Sequence, residues 1–489
     1  MSGDLGSWQR VDTIPASGPA HRRHGAADRL GSWPVPAWLT PHAPRRRQFA
    51  AAPIILSATF LLWPALLNGY PIVFDDTGTY LSQAVHHYLG WDRPVFYSLF
   101  LLPLHMTLTT WPVIAAQALL AAYTLHLARR TLLPALSPWW LPPFVALLAA
   151  TTALPWFASQ LMPDVFTPLL ILTLALLLFT PERLSRAEYI SLVLFAAFMI
   201  AAQQSNVPLS LALLLTLTPL RRKLGAAARL GRTRLAGLAA PPLLAMAALL
   251  SVNLVGYGRA ALFPYGNVFL LARVIYDGPG MDALRRDCPA AGWRLCGYLD
   301  RFPPTSDQFL WQSDSPILLA GGHKLISAEA DAIIAAGLRA EPETELHAWL
   351  RNGFTQLGRF ASGDELHACP KTVTPWIARD FPPFENAAYA AARQTGNRLA
   401  VPAWMQALHA TVALAGVAGC GIVLLVGLRR RHVAAGFAAT VLLAVLANAF
   451  IAGGFSTPHH RYGSRVMLLA PATALLGGTA LSRKRLAMA

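Results

Sequence analysis

Residues 433–452 read VAAGFAATVLLAVLANAFIA, a run of twenty positions without a charged side chain that begins just after Arg429–Arg431. A helix of about 20 apolar residues is long enough to cross the hydrocarbon core of a bilayer. Residues 234–252 form a second run of this kind, and shorter ones recur along the chain. This pattern predicts an all-α integral membrane protein, built as a bundle of about ten transmembrane helices.

The composition favours the same fold class. Of the 489 residues, 55% are hydrophobic and only 13% are charged, whereas a soluble protein needs more charge to cover its surface. The net charge of +16 is unevenly spread: residues 256–400 hold 14 basic and 15 acidic side chains, and the remainder holds 26 and 9. Because most of those basic residues flank apolar runs, we interpret them as topology signals and expect no nucleic-acid partner.

The apolar runs predict ten spans, at 50–68, 111–128, 139–157, 164–180, 188–204, 206–220, 235–255, 402–428, 433–452 and 465–482. With the N-terminus in the cytoplasm, the positive-inside rule is satisfied by Arg45–Arg47, Arg129 with Arg130, Arg183 with Arg186, Arg221–Lys223 with Arg229, Arg232 and Arg234, Arg429–Arg431 and Arg483–Arg485. Only Arg93, Arg461 and Arg465 are then left in short outer loops. We therefore predict a multi-pass protein of the cytoplasmic (inner) membrane with both termini in the cytoplasm.

Four regions follow from these spans. Residues 1–48 are predicted to be a disordered cytoplasmic tail, 49–255 a transmembrane module with a first outer loop at 69–110, 256–400 a mixed extracytoplasmic loop domain, and 401–489 a second transmembrane module. Residues 94–108 are apolar but short, and a span there would place the downstream arginine clusters outside, so we expect an interfacial or re-entrant helix. Helices are predicted at 326–338 and 343–360. Cys288 and Cys296 are equally compatible with a disulfide and with free thiols.

The first outer loop contains two adjacent carboxylates, Asp75 and Asp76, immediately after a span and between apolar residues. A carboxylate in such surroundings is suited to act as a general base. The alternative is structural: Asp76 is placed to cap a helix that runs from Thr77 to Tyr88.

Two further outer loops carry isolated charges. Asp164 is the only charge between two long apolar spans, which indicates either a functional group or an N-cap for the span that follows. Arg461 and Arg465 share one helical face and suit a phosphate or pyrophosphate, the alternatives being a stop signal or a contact with lipid headgroups. The pairs His459–His460 and His86–His87 lack a fixed carboxylate partner in the sequence, so we assign no metal ligand there.

This arrangement of loops resembles the GT-C glycosyltransferases, membrane enzymes that use polyprenyl-phosphate sugars and include mannosyl-, arabinosyl- and aminoarabinosyltransferases. The stretch from Phe74 to Leu81, followed by Arg93–Tyr97, is similar to their first-loop motif, and Met162–Asp164 is similar to their second acidic site. Two features depart from the family. The first-loop acids are directly adjacent, which leaves open the metal dependence and which aspartate acts, and residues 256–400 match no acceptor-binding domain known to us.

The resemblance implies a GT-C-like bundle and an inverting glycosyltransferase that moves a sugar from a polyprenyl-phosphate donor to a cell-envelope glycan, lipid or protein acceptor at the outer face of the membrane. The implied residues are Asp75, Asp76 and Asp164 for catalysis, Arg461, Arg465 and Tyr462 for the donor phosphate, and Tyr80, Arg93 and His460 for substrate. No cofactor is assigned, a divalent metal is left open, and the partners are the donor and membrane lipid. Two rival classes are a membrane transporter or lipid flippase, disfavoured by the absence of an internal repeat, and a non-catalytic scaffold.

Overall fold

The computed structural model of the protein describes residues 51–227 and 231–486. The predicted tail at 1–48 lies outside these residues, as do Arg45–Arg47 and Arg229. The described residues are all-α, as predicted: they contain no strand and only one isolated bridge, between Ile72 and Gln160.

The first half of the described chain is a series of helices joined by short turns. They are α1 Ala51–Thr59, α2 Trp63–Asn68, α3 Thr77–His86, α4 Val95–His105, α5 Trp111–Leu132, α6 Leu141–Thr151, α7 Leu154–Ala158, α8 Phe166–Phe179, α9 Arg186–Ala202, α10 Asn206–Leu220 and α11 Arg232–Tyr257. Short 3₁₀ helices at Pro138–Trp140, Pro163–Val165 and Pro181–Arg183 mark three of the turns.

The segment between the two groups of apolar helices is also helical. It contains α12 Gly266–Asp277, α13 Pro279–Asp287, α14 Ser306–Trp311, α15 Pro316–Leu319, α16 His323–Ala340, α17 Pro342–Gly358, α18 Thr374–Asp380 and α19 Pro383–Ala391, with a 3₁₀ helix at Arg294–Arg301. The chain then ends in α20 Ala403–Arg429, α21 Ala434–Phe455, α22 His460–Met467 and α23 Leu469–Leu486.

Six helical segments of the described chain are long and apolar enough to cross a membrane, judged by length and composition. They are Ala51–Asn68, Trp111–Leu132, Arg232–Tyr257, Ala403–Arg429, Ala434–Phe455 and His460–Arg483. Large apolar side chains remain exposed along α11 and α20, among them Leu243, Val255, Ile422 and Leu425. These features are compatible with a multi-pass membrane protein.

The remaining four predicted spans also coincide with helices, but these helices are shorter. The span predicted at 139–157 is broken at Thr152 and Ala153, and those at 164–180, 188–204 and 206–220 correspond to α8, α9 and α10. Every residue of α8 is buried, and its 14 residues extend only about 21 Å. Because other helices surround α8, its length is not set by the thickness of a bilayer.

The basic clusters lie together at one end of the bundle. Arg130 at the end of α5 forms two hydrogen bonds of 2.8 and 2.9 Å with Glu188 at the start of α9. Arg183 donates to the carbonyl of Thr131, and Arg430 donates to that of Leu481 at 2.8 Å. Residues Asp164 and Arg465 lie at the other end, since they precede α8 and α23.

The segment 256–400 has two parts. Residues 265–334 contain their own hydrophobic core, formed mainly by α12 and α16. The Cys288–Cys296 pair, left open by the sequence, is a disulfide there. Residues of 369–392 instead join the main core of the protein. The predicted helices at 326–338 and 343–360 are present as α16 and α17. The expectation of a mixed domain was wrong, since no strand forms in this segment. The reason is that its apolar residues follow a helical period.

The second part of this segment is fixed to the first outer loop by a buried carboxylate. One oxygen of Glu385, which is 2% exposed, accepts hydrogen bonds of 2.8 Å from the hydroxyl of Tyr70 and from both the amide and the hydroxyl of Thr110. Because Tyr70 and Thr110 bound the first outer loop, α19 holds both of its ends.

Candidate functional site

The first and second outer loops are joined through their backbones. The amide of Ile72 donates to the carbonyl of Ser159 at 2.9 Å, and the amide of Leu161 donates to the carbonyl of Ile72 at 2.8 Å. On the other side of this short extended segment, the side chain of Gln394 accepts from the amide of Val73 at 2.9 Å and donates to its carbonyl at 2.7 Å. The segment that leads to Asp75 and Asp76 is therefore held on both edges.

Asp76 forms an ion pair with Arg93. An Nη atom of Arg93 lies 2.6 Å from an oxygen of Asp76, and the two side chains are 18% and 15% exposed. Asp76 occupies the N-cap position of α3, which begins at Thr77 as the structural alternative predicted, but its side chain makes no capping hydrogen bond. The guanidinium of Arg93 also lies 5.5 Å from the ring centre of Trp311, which brings the 265–334 part to the edge of the site.

Asp164 forms a second and deeper ion pair. Its carboxylate lies 2.8 Å from Nη1 of Arg465, and both side chains are 1% exposed. Another nitrogen of Arg465 donates to the hydroxyl of Ser205 at 3.0 Å. Asp164 lies inside the 3₁₀ turn Pro163–Val165, which Met162 precedes and where no side chain caps the helix, so it is not an N-cap.

Arg461 lies between these two pairs, and within the described residues its side chain donates no hydrogen bond to a carboxylate. Its Nε is 3.9 Å from an oxygen of Asp164, and its guanidinium carbon lies 3.9 Å from the ring centre of Phe74. The side chain is 11% exposed, and its buried Nη1 has no hydrogen-bond partner in the part of the chain that the structure describes. Such a buried cation is costly unless an anion pairs with it.

The other predicted donor-site and substrate-site residues lie close to these arginines or support them. The ring centre of Tyr462 is 5.4 Å from the guanidinium of Arg461 and 5.1 Å from that of Arg465. Nδ1 of His460 accepts a hydrogen bond of 3.0 Å from the amide of Ala361. Tyr80 is 1% exposed and packs edge-on against Tyr97, with 4.9 Å between ring centres. Tyr462 is thus beside the cations, while His460 and Tyr80 position the surrounding elements.

Asp75 lies next to the arginine cluster in sequence but has different partners. Its carboxylate accepts a hydrogen bond of 2.6 Å from the hydroxyl of Thr372 and lies 3.2 Å from Nε2 of His367. Its side chain is 44% exposed. The two adjacent aspartates therefore have separate environments, and only Asp76 is paired with an arginine of the site.

The structure adds two carboxylates that sequence reasoning missed, Asp364 and Glu365, and it places Glu365 beside His459. Asp364 accepts a hydrogen bond of 3.1 Å from the amide of Arg461, and Glu365 lies 3.5 Å from Nδ1 of His459. Burial raises the pKa of the Glu365 carboxyl, against the lowering effects of Arg461 and His459. The sequence does contain two adjacent acids after a glycine, Gly363-Asp364-Glu365, but they lie far from any predicted span. In the structure Gly363 has a φ of +86°.

A pocket opens beside Arg461. It is small, with a cavity volume of about 20 Å³, and it opens to solvent; its walls include Trp156, Gln160, Asp364 and Ser464. The indole N–H of Trp156 is buried and has no hydrogen-bond partner among the described residues. An aromatic ring combined with polar groups is a suitable lining for a polar organic ligand such as a sugar.

The arrangement offers a defined chemistry. Arg93 and Arg465 each have a hydrogen-bonded carboxylate, whereas the guanidinium of Arg461 has only a longer contact of 3.9 Å with Asp164 among the described residues. A buried guanidinium fork binds phosphate oxygens well. The carboxylates of Asp76 and Glu365 are close enough to interact electrostatically with Arg461, which places acid–base groups beside an anion site.

Comparison of the chain with protein-family models, with curated proteins and with solved structures finds no match.

Proposed function

We propose that the protein is a membrane glycosyltransferase of the GT-C type, which transfers a sugar from a polyprenyl-phosphate donor to a cell-envelope acceptor. The observation that carries this proposal is Arg461: a buried guanidinium with an unpaired Nη1, beside a pocket that opens to solvent. This arrangement supports binding of an anionic ligand that carries an organic group. A polyprenyl-phosphate sugar is such a ligand, because its phosphate is anionic and its sugar is the attached organic group.

In this proposal Arg461 binds the donor phosphate, while Arg465 and Tyr462 position it. The sugar occupies the pocket lined by Trp156 and Gln160. The acceptor hydroxyl attacks the anomeric carbon, a new carbon–oxygen bond forms with inversion, and the bond to the phosphate oxygen breaks. The polyprenyl phosphate leaves with the bonding electrons, and Arg461 stabilises the charge that develops on it.

Asp76 is the candidate general base, because it is the first-loop carboxylate that is paired within the arginine cluster. It takes the proton of the acceptor hydroxyl as the new bond forms. Asp164 acts at a distance from the reacting atoms by fixing Arg465. Glu365, whose pKa is raised by burial, is the alternative base on this side of the pocket.

We propose that the protein is oriented in the membrane so that the arginine site meets the donor headgroup. All ten predicted segments cross the bilayer, the shorter α8, α9 and α10 within the bundle, and the end that carries Arg130, Arg183 and Arg430 faces the cytoplasm. The arginine site then faces the extracytoplasmic side of the inner membrane, where the donor headgroup is exposed.

The direct test is transfer of radiolabelled sugar from a panel of polyprenyl-phosphate sugars, in membranes that contain the wild-type protein or the Asp76→Asn variant. General-base catalysis contributes about 10²–10⁴-fold, so we expect Asp76→Asn to reduce transfer by at least about 100-fold. Asp331→Asn is the matched control, since Asp331 is exposed on α16, and it should retain full activity.

Each other outcome has a defined meaning. A larger loss in Asp75→Asn or Glu365→Gln than in Asp76→Asn would assign the base to that residue instead. Wild-type protein that is folded but neither transfers sugar nor binds any polyprenyl phosphate would overturn the proposal. Movement of the lipid across vesicles without sugar transfer would identify a flippase.

A further inference from the structure

Three side chains with metal-ligand chemistry meet outside the arginine cluster. They are Asp75 of the first outer loop and His367 and Cys369 of the loop before α18, and one donor atom from each lies within 4.8 Å of the other two. The residues come from positions almost 300 apart in sequence, as the hydrogen bond between His367 and Asp75 shows. Their convergence therefore depends on the tertiary fold.

The set of donor atoms fits zinc better than the hard cations. Thiolate sulfur and imidazole nitrogen are preferred ligands of Zn²⁺, whereas Mg²⁺ and Ca²⁺ require oxygen. Zinc bonds of roughly 2.0–2.3 Å at tetrahedral angles separate neighbouring ligand atoms by about 3.3–3.8 Å. The carboxylate of Asp75 and Nε2 of His367 are already 3.2 Å apart, so only a small movement of the thiol is needed to complete the set.

The surroundings hold these ligands in place. The hydroxyl of Thr372 binds the other oxygen of Asp75 at 2.6 Å, which is how outer groups orient a ligating carboxylate. The carbonyl of His367 accepts from Gln394 at 3.1 Å, and the carbonyl of Cys369 accepts from the amides of Val373 and Thr374 at 3.0 and 3.2 Å. The loop is therefore fixed without any metal, which lowers the cost of ordering a site.

The thiol has no competing role as a disulfide. Cys369 is 1% exposed, Cys288 and Cys296 are bonded to each other, and Cys420 lies on α20. The thiol of Cys369 donates a weak hydrogen bond of 3.6 Å to the carbonyl of His367, and the side chains of Asp75 and Thr372 are also its neighbours. A metal cation placed between this thiol, the carboxylate and the imidazole would be bound by all three groups.

We propose that Asp75, His367 and Cys369 bind one zinc ion, with a fourth position open to water. The thiol loses its proton to solvent when the metal binds. The ion joins the first outer loop to the loop before α18, and so fixes the backbone that leads to Asp76. This site is independent of glycosyl transfer: it is defined by its own three ligands and needs neither donor nor acceptor.

The test uses the full-length protein, purified in detergent, stripped with a chelator and reloaded with Zn²⁺ or Co²⁺ alone. Elemental analysis should give one zinc ion per chain for the wild type, and the cobalt form should show a thiolate-to-cobalt charge-transfer band. Cys369→Ser should lose the band and most of the metal. Cys420→Ser, which removes the other free buried cysteine, should retain both.

A second variant guards against a folding defect in Cys369→Ser. His367 is 52% exposed, so His367→Ala should remain folded, as judged by gel filtration and thermal unfolding, and still lose the metal. Folded wild-type protein that retains no zinc, or that retains equal zinc in both ligand variants, would overturn the proposal. Because metal content is measured without substrate, that result would leave the proposed transferase activity standing, and a failed transfer assay would not affect the zinc site.

Discussion

The carboxylate of Asp164 accepts a hydrogen bond of 2.8 Å from the guanidinium of Arg465, which lies 301 residues later in the chain. Both side chains are 1% exposed. Loss of one partner leaves the other charge buried and unpaired, at a cost of about 3–5 kcal/mol. We therefore expect Asp164→Ala to lower the thermal unfolding midpoint of the purified protein strongly.

The matched control removes both charges. Asp164→Leu combined with Arg465→Met should recover most of the lost stability, because neither member of the pair is then left charged without its partner. An Asp164→Ala protein that unfolds at the wild-type temperature would show that the pair does not form in solution.

Arg461 should behave differently from Arg465. Since its side chain has no hydrogen-bonded carboxylate among the described residues, Arg461→Ala should change stability little but weaken binding of a short-chain polyprenyl phosphate by at least about tenfold. Arg461→Lys should give an intermediate affinity, because a lysine keeps the charge without the planar fork. Titration by fluorescence or thermophoresis measures this, with Arg339→Ala of the exposed end of α16 as the control. Equal affinity of Arg461→Ala and the wild type for the polyprenyl phosphate would show that Arg461 does not bind the phosphate.

Helices α17 and α21 approach each other at glycines. A Cβ atom added to Gly453 would lie 2.6 Å from the backbone carbon of Asn352, so Gly453→Ala must push the two helices apart. We expect a loss of about 1–3 kcal/mol, seen as a lower unfolding midpoint. Gly421 of α20 has nothing within 4 Å of an added Cβ, and Gly421→Ala should be neutral or stabilise by about 0.5–1 kcal/mol. Similar effects of the two substitutions would contradict the close packing.

Gln394 should control the order of the first outer loop. Its amide pairs with both the N–H and the C=O of Val73, so Gln394→Ala leaves two buried backbone groups unpaired, each worth about 1–3 kcal/mol. Hydrogen exchange should accelerate across residues 70–77 in this variant. Gln406→Ala is the control, because Gln406 bonds only to Val401 close by in sequence, and it should leave exchange at 70–77 unchanged. Unaltered exchange in Gln394→Ala would refute this role.

His459 should make stability depend on pH. Its hydrogen bond with Asp307 raises its pKa above the ordinary value, with burial opposing. The ion-pair contribution is therefore fully present below the unfolded pKa of about 6.5 and is lost as the pH rises through the folded pKa. The unfolding midpoint of the wild type should fall more between about pH 6 and pH 9 than that of His459→Gln. His347→Gln, at an exposed position of α17, should follow the wild type, and parallel curves for His459→Gln and wild type would exclude the effect.

The sequence predicts the helices and the charged loops well, because both depend on local patterns. All ten apolar segments coincide with helices, and the loops of Asp76, Asp164 and Arg461 do converge at one end. The lengths of the helices were less predictable. Helix α8 has only 14 residues and all of them are buried, and a helix surrounded by protein need not match the thickness of the bilayer.

The pairing of charges was beyond sequence reasoning. Nothing local distinguishes Asp75 from its neighbour, yet one faces Thr372 and the other Arg93. Glu365 and Cys369 were overlooked for a related reason, since their partners come from distant loops: His459 lies beside Glu365, and Asp75 lies beside Cys369.

The long sequence separation of Asp164 and Arg465 means that Asp164 is synthesised well before its partner. At about 5–20 residues per second, a ribosome needs roughly 15–60 s to add the 301 residues that separate the acid from its cation. During this interval the nascent chain carries a carboxylate without the counter-ion that it has in the finished bundle. A product truncated before α22 never gains Arg465, so its Asp164 remains without this partner.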